Sequence, residues 1–575
     1  MNDVLFFFQS ESDVPSEFDG RTFIIESELN SLSEERHLDI YSSLMEMEVN
    51  SGTTLPIYKL SRYRLFSGAF SEDISPLVRY IHLASQVNEC VSNGSIDKAV
   101  IKTVDKAYEP VILDVLNNTD IQVPSHREFR LSLLWERMSG KVKSLVSAMI
   151  VLLDQLIYCL LYSVFNLNSH ISIETVFIPS QSRFNTTEPV LKHMKDSYAL
   201  ALERSLVGRL IGRNSSTVAD EYDHIFSHQF SSPKTIFHNL KFILFSFLPS
   251  ELLDNTTEES INENLNELYG FKLEFTIAQM YGRLYHDGLL WQIQRYFAYL
   301  DVFSKAGTNS VVISTGYSAG AEAVWLAAQR SDVTAYDLPH MITVNPPQTG
   351  VFTDYSFVTG PFAQRYIETH YPNQATGVLP TGRPYLETLN RAADQNINEP
   401  IQVLIATSPY SDKKRKQVLF QSINGIEEMP VNCVVKIKPH PSEGVEIYEQ
   451  LQQEAPINFE IVEDGLQKEL ESADIVITVN SNVGLEAIVS GAISINMNFW
   501  RGLILPLPYA LEGPVPILEN PTSVQTFFRG LTIKQARSIQ QKQQEFLAEG
   551  YYLSGSAERV ASEAEATRTS RFTSR

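Results

Sequence analysis

Two short loops in the last third of the chain carry side chains that could hold an anion. The first, Lys438-Pro439-His440-Pro441-Ser442-Glu443, follows an apolar run through Val434, Val435 and Ile437. It offers an ammonium, an imidazole and a hydroxyl on a backbone stiffened by two prolines. The second, Asn480-Ser481-Asn482-Val483-Gly484, follows the apolar run Ile475–Val479 and opens a helical stretch containing Glu486. A small-residue turn entering a helix presents backbone N–H groups and a positive dipole end to an anion. Both loops fall where strands end, and in an open parallel sheet ligands bind outside the carboxyl ends of strands. Together they read as two walls of a phosphate-binding crevice. Ser408, just after the run Ile401–Ala406, falls on the same side of the sheet. Each loop alone also has a plainer explanation. His440 between prolines makes a rigid turn, Asn480, Ser481 and Asn482 are good helix N-caps, and Glu486 in a first turn complements the dipole without any ligand. Their occurrence in consecutive units of one sheet is what favours a ligand.

A different chemistry competes for Gly316-Tyr317-Ser318-Ala319-Gly320, which fits the G-x-S-x-G nucleophile elbow and lies between an apolar run and a helical one. Ser318 would then be a hydrolase nucleophile, with Asp337 or Asp354 as the acid and His370 or His440 as the base. A long helical region intervenes before the elbow, and no Gly-rich oxyanion loop precedes it. Both facts count against the hydrolase. No HExxH or DxD motif occurs, and the acidic cluster Asp220-Glu221-Tyr222-Asp223-His224 matches no metal spacing and reads as a solvated helix face. No bound metal is expected.

The elements that must position these residues alternate. Strand-like runs at Val4–Phe8, Thr22–Ile25, Ala99–Ile101, Ile171–Ile178, Ser310–Thr315, Met341–Val344, Tyr355–Thr359 and Thr376–Leu379 are separated by helical pattern, which is the rhythm of an open α/β sheet. Between about 125 and 305 the pattern is mostly helical, far more than a βαβ crossover needs. A polar stretch at 391–400 marks a boundary. The second domain runs from there to about 553, closing with helices at Ser523–Arg529 and Thr532–Leu547. Residues 554–575 are small and polar and read as a disordered tail.

A chain of 575 residues exceeds one ordinary core. Its formal net charge of −22 argues against nucleic acid as a partner, since phosphate neutralisation needs clustered Lys and Arg. The three cysteines, Cys90, Cys159 and Cys433, are too scattered for a disulfide framework or a zinc site and fit a reducing cytoplasm. The amino-terminal segment has neither a basic start nor a cleavage motif, so no signal peptide is expected. Two apolar segments raise a membrane question: 141–167 and 235–248. Asp154 and Gln155 sit near the centre of the first, where an acid is costly in a bilayer. The first is long enough to span, and the second is too short; the alternatives are a spanning helix at 141–167, helices buried within the protein, and interfacial helices with Lys141, Lys143 and Lys241 at the headgroups.

The K-P-H-P loop, the Ser-bearing turn with its following Leu485-Glu486-Ala487, and the Gly-bounded strand after it resemble the donor-binding domain of GT-B glycosyltransferases. The nearest resemblance is to capsule glycosyltransferases, polysialyltransferases and CDP-glycerol glycerophosphotransferases, with UDP-N-acetylglucosamine 2-epimerases sharing the fold. It covers about residues 340–530. It implies an α/β fold of GT-B type, with two Rossmann-like parallel-sheet domains facing a cleft and a large helical insertion in the first. It also implies a metal-independent enzyme without a resident cofactor, moving a sugar from a nucleotide-sugar donor to a surface glycan or lipid-linked acceptor. The site would be cytoplasmic or peripheral on the inner membrane face. Carried over by position, His440, Ser481 with Asn480 and Asn482, and Glu486 would hold the donor, and Ser408, Lys438, Ser442 and Gly484 beside them complete the expected donor site. The basic cluster Lys413-Lys414-Arg415-Lys416 either joins Lys438 at the phosphate or forms a solvated helix face. The chain lacks the His-Gly pair usual in such enzymes, having Asn345-Pro346-Pro347 instead, so no catalytic base follows. The alternatives that stay open are an epimerase of the same fold and the serine hydrolase at Ser318.

Overall fold

The apolar runs become strands, and every strand pairing among the described residues is parallel. The computed structural model describes residues 4–15, 21–32, 76–93, 98–104, 108–117, 145–146, 148–160, 172–179, 186–195, 198–202, 224–226, 230–245, 262–277, 289–314, 321–338, 353–370, 377–389, 397–408, 412–440, 443–444, 446–462, 465–479, 481–499 and 507–572, with single positions at 36, 40, 96, 119, 121, 142 and 222. Ser318 with its elbow, the expected strand 341–344, Asn345-Pro346-Pro347, Ser442 and Asn480 lie outside them.

The chain forms two units. The first comprises Met1–Ser182 and Asp196–Ala335, the second Arg183–Lys195 and Tyr336–Arg575. In the first unit, β1 (Val4–Phe8) lies between β2 (Arg21–Ile24) and β3 (Lys98–Thr103). A separate set has β4 (Thr175–Ile178) between β5 (Tyr198–Leu202) and β7 (Ser310–Ile313), with β6 (His224–Phe226) outside β5. β5 and β6 fall inside the stretch expected to be a helical insertion, so that expectation is corrected. β5 is the run YALAL, whose alanines and leucines carry no β-propensity signal, and a parallel pairing on β4 overrides it. His224 starts β6 and is not on a helix face as its acidic neighbourhood suggested. Among the described residues no helix is long and apolar enough to cross a membrane.

The second unit starts well before the expected boundary at 391–400. It contains the end of β8 (Thr334–Asp337), β9 (Tyr355–Val358) and β10 (Val378–Pro380), paired in that order. The cause is the carboxyl terminus. Residues 554–575, expected to be disordered, form the helix Ser556–Phe572 over most of their length. Ala557, Val560, Ala561 and Ala564, at helical spacing, are buried on one face of it. That helix and its approach fasten the segment: Arg559 Nε donates to Thr381 O at 2.7 Å, Tyr336 Oη to Glu563 O at 3.0 Å, Tyr552 N to Thr359 O at 3.1 Å, and Lys195 N to Glu565 Oε1 at 2.6 Å. Gly382 sits at φ 88° directly against Tyr552 and Ser556, where a Cβ would overlap both.

The rest of the second unit is a six-stranded sheet: β11 (Ile401–Ala406), β12 (Cys433–Lys438), β13 (Phe459–Ile461), β14 (Ile475–Thr478), β15 (Ile493–Met497) and β16 (Ile517–Leu518). Its spatial order is β13-β12-β11-β14-β15-β16. β14 and β15 are buried on both faces, as the inner strands of a parallel sheet are, although β15 carries the polar Ser494 and Asn496 among its apolar residues. The helix Val483–Ser490 returns from β14 and stops at Gly491, in the left-handed region at φ 96°, with Ala492 N closing onto Ala487 O at 2.9 Å. Gln543, buried on the helix Ile533–Gly550, accepts from Ser494 N at 2.9 Å and donates to Ser494 O at 2.8 Å. Its amide thus pairs with the β15 backbone where β16 does not reach.

Candidate functional site

The strand order of this sheet reverses between β11 and β14. Chain connections leave β11 toward β12 and β13 on one side, and the fold resumes at β14 on the other. At such a reversal the two flanking loops diverge and leave a crevice at the carboxyl ends of the strands. Ser408 stands just past the end of β11. Its hydroxyl donates to Val479 O, just past the end of β14, at 3.1 Å, tying the two strand ends together across the reversal.

The loop after β12 is anchored to the same place by a buried carboxylate. Glu443, with a side chain 1% exposed, accepts at Oε2 from His440 N at 3.1 Å and from Thr407 Oγ1 at 2.7 Å, and the Tyr448 hydroxyl donates to it as well. Its Oε1 lies 3.2 Å from Arg415 Nε. Thr407 Oγ1 also accepts from His440 N at 3.2 Å, while Thr407 N donates to Lys438 O at 3.1 Å. The Tyr448 phenol is pushed well above its ordinary pKa, first by burial and then by its bond to the Glu443 carboxylate. Arg415 therefore points inward to Glu443, while its neighbour Lys416 is exposed and reaches Gln450 Oε1 at 3.4 Å. The basic cluster is divided: one member is structural and another lies on the surface. Glu443 was in the loop as read from the sequence but without a role. The only local signal is an acid three residues after His440, a spacing that lets a side chain meet a backbone N–H.

After β14, Ser481 Oγ accepts from Val483 N at 3.3 Å, and Ser481 O accepts from Gly484 N at 3.1 Å and from Tyr509 Oη at 2.7 Å. Asn482 takes the N-cap position without a side-chain cap bond and receives Glu486 N at its carbonyl, 3.0 Å away. Glu486 is buried in the first turn. Gly484 is where the helix comes closest to its surroundings: a Cβ there would overlap the Tyr509 hydroxyl and press on Ser494. Of the residues read from the sequence, Ser408, Lys438, His440, Ser481, Asn482, Gly484 and Glu486 are thus at or beside the carboxyl ends of three neighbouring strands. The Ser481 hydroxyl also supports the helix start locally, accepting from Val483 N one residue past the N-cap.

The hydrolase residues do not form a relay among the described residues. His370 ends the helix Pro361–His370 with Nε2 2.6 Å from Glu512 Oε1. Asp337 is buried with one carboxylate oxygen unbonded, and burial alone pushes its pKa up to about 7. No histidine among the described residues bonds to it. Among the described residues no group of His, Cys, Asp and Glu is arranged to hold a metal ion.

No protein-family model matches the chain, and no curated protein matches it in sequence. Several solved structures match the chain at low sequence identity. A protein described as a UDP-N-acetylglucosamine 2-epimerase, from Listeria monocytogenes, is 12% identical with a TM-score of 0.41, over 69% of this chain and 96% of its own. MurG of Acinetobacter baumannii is 12% identical with a TM-score of 0.40, over 68% and 99%. The wall teichoic acid polymerase TagF is 11% identical with a TM-score of 0.38, over 76% and 99%.

Proposed function

We propose that this chain is a GT-B-type glycosyltransferase whose second unit holds a nucleotide-sugar donor at the carboxyl ends of β12, β11 and β14. The observation that carries the reading is the Ser408–Val479 bond at the strand-order reversal, flanked by the His440 loop on one side and the Ser481 turn on the other. Lys438 and His440 would supply positive charge and hydrogen bonds to phosphate. The Ser481 turn and the amino end of the helix Val483–Ser490 would supply dipole and hydroxyl contacts, and Glu486 would meet the ribose. In transfer, an acceptor hydroxyl oxygen bonds to the anomeric carbon and gives up its proton, the bond between the anomeric carbon and the phosphate oxygen breaks, and these groups stabilise the negative charge left on the nucleotide. The acceptor is a surface glycan or a lipid-linked precursor, and the enzyme works on the cytoplasmic side without a resident metal or cofactor.

Thermal unfolding in the presence of CMP, UDP, GDP or CDP tests the reading. A bound nucleotide at about a hundred times its Kd adds about 2.7 kcal/mol of stability. One nucleotide should raise the Tm of the wild type, and His440→Ala and Ser481→Ala should lose that rise while still unfolding cooperatively. If no nucleotide shifts the Tm, the donor site is not where we place it.

A further inference from the structure

The helical residues 148–160, with helical positions 142, 145 and 146 ahead of them, bury one side and leave the other bare. Ala148 and Leu152 pack with Ile243 and Ile293. Gln155 Oε1 accepts from Asn239 Nδ2 at 2.7 Å, and Gln294 Nε2 donates to Ala148 O at 2.7 Å, so the inner face is sealed against the helices Pro233–Phe245 and Leu289–Ala306. The outer face carries Val146, Met149, Leu153, Leu156 and Leu160, alternating by three and four residues, with Leu156 40% and Leu160 62% exposed. On the helix Pro233–Phe245, Phe237 is 65% exposed. A run of large apolar side chains in water at this spacing needs a cover.

Charge says what covers it. The chain has 68 acidic and 46 basic residues, yet segments 141–160 and 233–245 contain a single acid, Asp154, which is fully buried. Their other charges are lysines: Lys141 and Lys143, which precede the helical residues 145–160 in the sequence, and Lys234 and Lys241 one turn either side of Phe237. Two copies of this face would bring lysine to lysine. An anionic bilayer would take the apolar side chains among its acyl chains and the ammonium groups among its headgroups, as interfacial helices do. We infer that this two-helix face is a docking surface for a membrane rich in anionic phospholipid, lying flat on it without spanning. The inference deepens the acceptor half of the proposed function and is independent of its donor half, since neither helix belongs to the second unit.

Vesicle flotation of the full chain decides it. Wild type should float with phosphatidylcholine vesicles containing about a third phosphatidylglycerol, and release as salt rises through the range where charges are screened. It should bind pure phosphatidylcholine about tenfold less. Met149→Ser/Leu153→Ser/Leu156→Ser and, separately, Lys234→Glu/Lys241→Glu should each cut flotation about tenfold or more. Because all five side chains point outward, both variants should keep the wild-type Tm and any nucleotide-dependent Tm rise. Wild type that stays unbound to anionic vesicles at low salt overturns the inference. So does a dimer in light scattering that the serine variant converts to monomer, which would make the face a contact between copies.

Discussion

His440 and Glu443 are joined in both directions: the Glu443 carboxylate accepts from His440 N at 3.1 Å, and Glu443 N donates to His440 O at 2.9 Å. The loop that carries the imidazole is therefore a closed turn held from within by a buried anion, and it is fastened outward through Thr407, Tyr448 and Arg415. A site that must hold a substrate within a fraction of an ångström needs such support for its contacting residues.

Removing that anion should be costly. Glu443→Ala removes the carboxylate beside Arg415 and one acceptor each from His440 N, Thr407 Oγ1 and Tyr448 Oη, and breaking a buried pair from one side costs about 3–5 kcal/mol. Urea denaturation should show this loss, with Glu443→Gln losing less because it keeps an acceptor for the loop. If Glu443→Ala unfolds at the wild-type midpoint, the carboxylate does not organise the loop.

Gly484→Ala tests the contact between the Ser481 turn and Tyr509. The added methyl overlaps the Tyr509 hydroxyl and presses on Ser494, and overpacking of this kind costs about 1–3 kcal/mol. Combining it with Tyr509→Phe should recover part of the loss, since the hydroxyl is the nearest obstacle. Additive losses in the double variant would place the strain elsewhere.

Asp337 makes stability depend on pH in an unusual direction. Its folded pKa is raised to about 7 by burial, whereas the unfolded carboxyl titrates near 4. Between these values the folded state keeps a proton that the unfolded state has released. The stability associated with the protonated group is complete below about pH 4 and is lost as pH rises to about 7, at up to about 1.4 kcal/mol per pH unit. Asp337→Asn should remove that slope, so its stability relative to wild type should grow from pH 4 to pH 7 and then level off. A difference constant across that range would show that Asp337 ionises normally.

Ser318 should not react with a fluorophosphonate probe. His370 is held by Glu512, and among the described residues no histidine bonds to Asp337. Stoichiometric labelling lost in Ser318→Ala would reverse the choice between transferase and hydrolase.

Much of the second sheet is legible in the sequence because β11, β12 and β14 are apolar at most of their buried positions, each followed within a few residues by a loop of small or polar residues. That local signal places Ser408, His440 and Ser481 at strand ends. The support behind them is not legible: Thr407, Arg415, Glu443 and Tyr448 come together only through the sheet, and nothing in their spacing along the chain announces it. The tail was misread for a related reason. Its alanines look weak as a core by composition, but small side chains let the helix Ser556–Phe572 lie close against Gly382 and Thr381. β5 and β6 were missed because short runs with poor strand formers become strands only through their neighbours.

The fastening of residues 336–388 by the last helix has a consequence for how the protein is made. Arg559, Glu563 and Glu565 bond to Thr381, Tyr336 and Lys195, which are synthesised hundreds of residues earlier. Domains assembled from adjacent sequence can fold while the ribosome is still working. In the second unit the bonds to Thr381, Tyr336 and Lys195 must wait for the helix Ser556–Phe572 to emerge. A chain cut near residue 553 would lack these partners and should be less stable over residues 336–388.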